Sequence, residues 1–161
     1  MKLKLEEILD NPNVWSYRWN KEYANLANIE LENAYLNDAD LSGANFENAK
    51  LIAVDFRGTC LQCTNFASAD LRNADFRRTD LQGANFVNAK LSGANFRGVD
   101  LRGADFTGAN LRGAAFTNAN LKDVDFTNAK LVDANFSGAN LRGACFKDAN
   151  TYNTIFDDVT F

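Results

Sequence analysis

The chain contains no histidine in its 161 residues, which removes the commonest general base and the commonest metal ligand. Cysteine is scarce and odd in number, at Cys60, Cys63 and Cys145. Three thiols so placed imply no disulfide framework and read as reduced thiols of a cytoplasmic protein, and a redox or metal centre would need more ligands than these. No apolar run is long enough for a secretory h-region or approaches the ~18 residues of a membrane span, so a soluble protein with no membrane contact is expected. The single proline, Pro12, follows Asn11 and pairs with it as helix N-cap and first helical residue. A formal net charge of −4 favours solubility and opposes direct nucleic-acid binding.

What the chain has in abundance is one five-residue word. From Ala84 to Gly103 it reads ANFVN AKLSG ANFRG VDLRG. Each word sets a small residue first, usually Asp, Asn or Lys second, Phe or Leu third, then two variable residues with a bias to Gly or Asn last. The register runs unbroken from Leu26 to Phe161, and among its third positions only Thr151 is neither Leu nor Phe. Neither common element tolerates a period of five. On an α-helix the apolar residues would walk around the axis, and on a flat strand they would alternate faces. A chain that turns a corner after each word aims every third position at one axis, which is the logic of an all-β solenoid.

A second period sets the number of sides. Between Leu41 and Phe146 the centres alternate strictly between Leu and Phe. Three sides would stack each Leu on a Phe. Four sides, with twenty residues per coil, stack Leu on Leu and Phe on Phe, in columns such as Phe46, Phe66, Phe86 and Phe106. The second positions agree, because Glu30, Lys50, Asp70 and Lys90 would then face opposite charges about 4.8 Å away. The 28 centres make about seven coils and a rod roughly 34 Å long.

The words ADLSG at Ala39, ADLRN at Ala69 and ANLRG at Ala109 and Ala139 follow the pattern A(D/N)LXX, and in this the chain resembles the pentapeptide repeat family. The resemblance covers Ala24 to Phe161 and implies a right-handed quadrilateral β-helix. Departures are mild: Val54, Thr59, Thr64 and Thr79 at the small position, Lys50, Lys90 and Lys130 at the second, and the terminal words around Thr151 and Phe156.

Two parts follow, a cap over residues 1–23 and a β-helix over 24–161. The first lacks the repeat, holds both tryptophans, and places Leu5, Ile8 and Leu9 on one helical face and Trp15 and Trp19 on another. A short helical N-terminal cap that covers the open solenoid end is expected, and a partner-binding arm that uses the tryptophans is the alternative. Gly or Asn at the fifth position suits corners that need positive φ. Second and fourth positions are expected to face water and to hold whatever site exists.

Charge is uneven along the rod. Residues 1–47 carry nine acids and four bases, 48–122 six acids and ten bases, and 123–161 six acids and three bases. On one side, Arg57, Arg77 and Arg97 stack with Arg78 beside them, and Asp55 and Asp75 precede two of them. This column is either neutralised by its aspartates or open to an acidic partner, and it is the candidate partner surface. The opposite side, with Asn45, Asn65, Asn85, Ala67, Val87, Thr107 and Thr127, is flat and weakly charged, suited to docking or to an Asn ladder. Ile155, Phe156, Val159 and Phe161 form an apolar final coil and the candidate self-association end, giving a monomer or a weak C-terminal homodimer.

A solenoid filled with Leu and Phe offers convex sides and no water-restricted pocket, so no catalytic residue, metal site or cofactor is expected. Two non-enzymatic functions follow from the resemblance. One is a protein-interaction or regulatory scaffold with an as yet unspecified protein partner, as in cyanobacterial members of the family. The other is mimicry of duplex DNA toward a type II topoisomerase such as gyrase, which needs broad acidic faces that the basic central coils do not supply.

Overall fold

The structure, a computed structural model, describes residues 24–161, and every word in that span contributes one side of a four-sided coil. The second residue of each word makes a parallel β-bridge to the residue twenty positions on, as in Asn65 with Asn85 and Asn85 with Asp105. Bridges recur at every fifth residue from Asn25↔Asn45 to Asn140↔Thr160, so four bridges bind each coil to the next. This is the twenty-residue, four-sided geometry expected from the alternation of Leu and Phe. The helical cap expected over residues 1–23 lies outside the described residues.

The word of five accounts for all of its backbone donors. In Ala84 to Asn88, the Ala84 N–H closes the preceding turn on the Leu81 carbonyl at 3.1 Å, and Asn85 N–H reaches back one coil to the Thr64 carbonyl at 2.9 Å. Phe86 N–H reaches forward to the Asp105 carbonyl at 2.7 Å, and Asn88 N–H forward to Thr107 at 2.9 Å. The remaining donor, Val87 N–H, is bound by the Oδ1 atom of Asn85 at 3.0 Å. That last bond is an Asx turn, a side chain standing in for a backbone acceptor where no neighbouring strand supplies one. It recurs at Thr107 on Asp105, at Ser137 on Asn135 and at Arg77 on Asp75. The recurrence of Asp and Asn at the second position is thus a demand of the corner.

Corners follow from the same register. Every fifth position from Asn28 to Asp158 has φ between +54° and +74°, while the fourth positions are not left-handed. With the turn bond from the next N–H back to the third-position carbonyl, this is type II turn geometry, which demands Gly or Asn. Ala53, Cys63 and Arg78 occupy such corners too, each at a cost of roughly 1–2 kcal/mol. At Gly138 a Cβ would in addition displace the Asn118 side chain of the preceding coil, which leans over it.

Inside the coils the core is two columns of Phe and two of Leu, with Ala filling the space between them. Phe46, Phe66, Phe86, Phe106 and Phe126 stack along one side, and Phe56 through Phe136 along the opposite side, all without solvent exposure. Within a column, rings lie 4.7–5.3 Å apart and within 18° of parallel. That spacing is dictated by the β-pairing of successive coils. Across the axis the two columns meet edge to face, as Phe76 and Phe86 do at 5.9 Å and 85°, an arrangement the ring quadrupoles favour.

The threonines that depart from the small-residue pattern are satisfied rather than disruptive. Thr59 and Thr64 donate their hydroxyls to the Leu36 and Leu41 carbonyls of the preceding coil at 2.8 and 3.1 Å, and Thr79 donates to Phe76. No buried side-chain polar atom lacks a partner among the described residues.

Replacing Phe86 by Ala removes two stacked and two edge-to-face neighbours from a column that coil spacing holds open, and is expected to cost about 3–5 kcal/mol. Val87→Ala, at a half-exposed outward position, should cost far less. Urea denaturation midpoints for the two variants check the assignment of inside and outside.

Candidate interaction surface

With the interior filled and the Asp and Asn second positions committed to Asx turns, the fourth positions carry most of the chemistry that varies along the rod. Wherever the word begins with Asp at its second position and Arg at its fourth, the two side chains close on each other. Arg57 donates from Nε and Nη2 to both carboxylate oxygens of Asp55, at 2.9, 3.1 and 2.6 Å, and Arg77 does the same on Asp75. Arg72 on Asp70 and Arg102 on Asp100 repeat the pattern on the two intervening sides. Bidentate pairing of this kind fixes the arginine as well as neutralising it.

The candidate arginines therefore divide into two kinds. Arg57 and Arg77 are held by aspartates, and Arg57 also lies 4.0 Å from Asp75 of the next coil. Arg97 follows Asn95 instead of an aspartate; its backbone N–H takes the Asx bond, and its guanidinium makes no ion pair among the described residues. Arg78 sits at a left-handed corner, exposed, and likewise carries no ion pair among the described residues. Of the two outcomes open to this column, self-neutralisation and availability, the structure assigns the first to Arg57 and Arg77.

The pairs also move the acids. The Arg57 hydrogen bonds hold the Asp55 carboxyl below the ordinary carboxylate range against a smaller effect of burial, and Arg72 does so for Asp70. At Asp75 burial is the largest influence and pushes upward, but the combined bonds and charge of Arg77 outweigh it and the group again titrates low.

Elsewhere the side chains stack as ladders. Asn45 donates to Asn25, Asn65 to Asn45 and Asn85 to Asn65, the last two at 3.0 and 3.1 Å, so the weakly charged side is an amide ladder. Lys50 pairs with Glu30 one coil away. The cysteines are all free and exposed, and no group of acids and thiols among the described residues is placed to hold a metal. In the final coil Phe161 is 75% exposed and Ile155 41%, while Phe156 and Val159 pack partly against the core. Among the described residues no helix is long and apolar enough to cross a membrane.

Coils of four five-residue sides, closed by type II corners and packed with stacked Phe and Leu, define a quadrilateral β-solenoid. The family model for a pentapeptide repeat region matches residues 80–156, and that for pentapeptide repeats matches 22–51, 49–86 and 59–98. The chain belongs to the pentapeptide repeat family, whose members form right-handed quadrilateral β-helices. Among solved structures, alr5209, a pentapeptide repeat protein from Nostoc Pcc 7120, is 29% identical over 63% of this chain and 83% of its own, with a TM-score of 0.51. QnrB1, a plasmid-mediated fluoroquinolone resistance protein, is 27% identical over 80% of this chain and 67% of its own, with a TM-score of 0.49. HetL, involved in heterocyst differentiation regulation in Nostoc sp. strain PCC 7120, is 22% identical over 98% of this chain and 94% of its own, with a TM-score of 0.27. No curated protein matches the chain in the corresponding comparison.

A carboxyl that titrates lower folded than unfolded contributes stability above its unfolded value, and that contribution is lost as the pH falls through the folded one. Stability should therefore fall as the pH is lowered from about 5 toward about 2. The double variant Asp55→Asn, Asp75→Asn keeps the Asx acceptors but not the charges, so its urea midpoint should be lower near neutrality and less sensitive over that range.

Proposed function

We propose that this protein is a non-enzymatic interaction scaffold of the cytoplasm, presenting chemically distinct sides of a rigid rod to a protein partner. The observation that carries this reading is the separation of roles within the word: first and third positions fill the interior, second and fifth build the corner, and variation is left to outward fourth positions. A rod so built offers flat surfaces at fixed spacing, with an amide ladder on one side and an arginine column on the opposite one. Flat, pre-ordered surfaces bind proteins without the entropy cost of ordering a loop.

Mimicry of duplex DNA toward a type II topoisomerase would need columns of uncompensated carboxylates in place of phosphates. In this chain Asp55, Asp70, Asp75 and Asp100 each hold an arginine, which removes four carboxylates from the display such a mimic would need.

Capture from lysate of the native cell tests the scaffold reading when the unmodified chain is compared with two side-specific variants, Val87→Lys with Thr107→Lys on the amide side and Arg97→Glu on the arginine side. We expect a protein that one variant loses and the other retains. Equal capture by all three chains, or none by any, overturns the reading. A gyrase supercoiling assay at low micromolar protein is expected to show no effect, and inhibition would establish mimicry instead.

A further inference from the structure

On the corner that follows the Phe56 side, Asn37, Asp38, Arg57, Gly58, Arg77 and Arg78 line an open cleft of about 290 Å³. Three successive coils build it. At its floor Gly58 carries no side chain, and the Asp38 carboxylate of the preceding coil occupies the space above it. Arg57 and Arg77 form one wall. Their bonds to Asp55 and Asp75 use Nε and Nη2, so each outer Nη1 retains donors that meet no acceptor among the described residues. Since the aspartates already fix both guanidinium planes, these donors are ordered before any ligand arrives.

Arg78 supplies the third cation, and its position is the unusual one. Among the described residues left-handed corners are Gly, Asn, Asp, Ser, Ala or Cys except here, where φ is +62° at an arginine. Gly or Asn would relieve that strain, and the Arg78 side chain makes no hydrogen bond or ion pair among the described residues. A strained residue kept without an internal role directs attention to what lies outside.

Resting on the scaffold reading, we propose that this cleft is the docking point for carboxylate side chains of an acidic segment in the partner protein. Arg78 and the oriented Nη1 donors of the wall set the class of ligand, not net charge. The lining carries three cations and one anion, Asp38, and Asp55 and Asp75 behind the wall neutralise Arg57 and Arg77 without occupying their Nη1 atoms. That background opposes a dianionic phosphate more than single carboxylates, and carboxylates are what these guanidinium groups already bind in this molecule. The volume falls just below the range of about 300–1,000 Å³ typical of small-molecule sites, which suits inserted side chains.

The test uses a fluorescein-labelled octaglutamate peptide and fluorescence anisotropy at low salt. We expect saturable binding that weakens with added salt. Arg78→Gly relieves the corner, so its urea midpoint should be equal or higher while its affinity drops roughly tenfold or more. Arg78→Lys should recover part of that affinity, and Arg142→Ala, at a distant outward fourth position, should leave it unchanged. No binding of octaglutamate, full affinity in Arg78→Gly, or an equal loss in Arg142→Ala overturns the proposal. So does stronger competition by a phosphoserine octapeptide or by duplex DNA than by unlabelled octaglutamate. If Arg78→Gly still captures the cellular partner, the cleft assignment fails while the scaffold reading stands.

Discussion

Everything in this molecule depends on the requirement that each second residue pair with the residue twenty positions further on. Parallel pairing sets successive coils about 4.8 Å apart, and every other repeat distance is inherited from it. The Phe rings must stack at that spacing whatever their intrinsic preference, and the Asn amides come within hydrogen-bond reach of each other for the same reason. A coil that slipped by one word would bring Leu over Phe on all four sides. The strict ten-residue alternation of the two side chains is therefore what holds register, more than any single hydrogen bond.

The same constraint limits where function can be written. Of five residues in a word, two are consumed by the core and two by the corner, one of those through the Asx bond that captures the fourth N–H. Outward charge is further reduced wherever Asp and Arg share a word, because side chains two positions apart on one side lie within bidentate reach. Arg57, Arg72, Arg77 and Arg102 spend their strongest hydrogen bonds on their own aspartates. The basic balance of the central coils thus overstates what they offer to a partner. Exposed pairs of this sort add little stability in isolation, and their main effect is to fix arginines that would otherwise move freely.

A comparison of Arg77 with Arg97 shows how much local sequence governs the surface. Both occupy the same column, one coil apart, yet the first follows Asp75 and the second Asn95. Both second-position residues supply the Asx acceptor. Only the carboxylate also binds the guanidinium. One substitution from acid to amide therefore leaves the fold alone and releases a cation, so a repeat family could change its partners without altering its core.

Much of this was legible in the order of residues alone, because a repeat translates sequence period directly into geometry. Five-residue words meant corners, alternation of Leu and Phe meant four sides, and Gly or Asn at the fifth position meant positive φ. Second positions were harder to interpret. Read as outward and free, those that are Asp or Asn in the central coils turn out half-buried and bonded, since an Asx turn depends on a backbone N–H whose lack of another acceptor becomes evident only when the coils are stacked. The cleft at Arg57, Arg77 and Arg78 likewise needed three coils in contact: its residues lie as far apart in sequence as Asn37 and Arg78, and the Asp38 carboxylate of one coil lies over Gly58 of the next. Sequence determined the register, the core and the corners, because these repeat with a fixed period. Tertiary structure alone decided which corners of different coils come together, as at the cleft of Arg57, Arg77 and Arg78, because that depends on distances between side chains in different words.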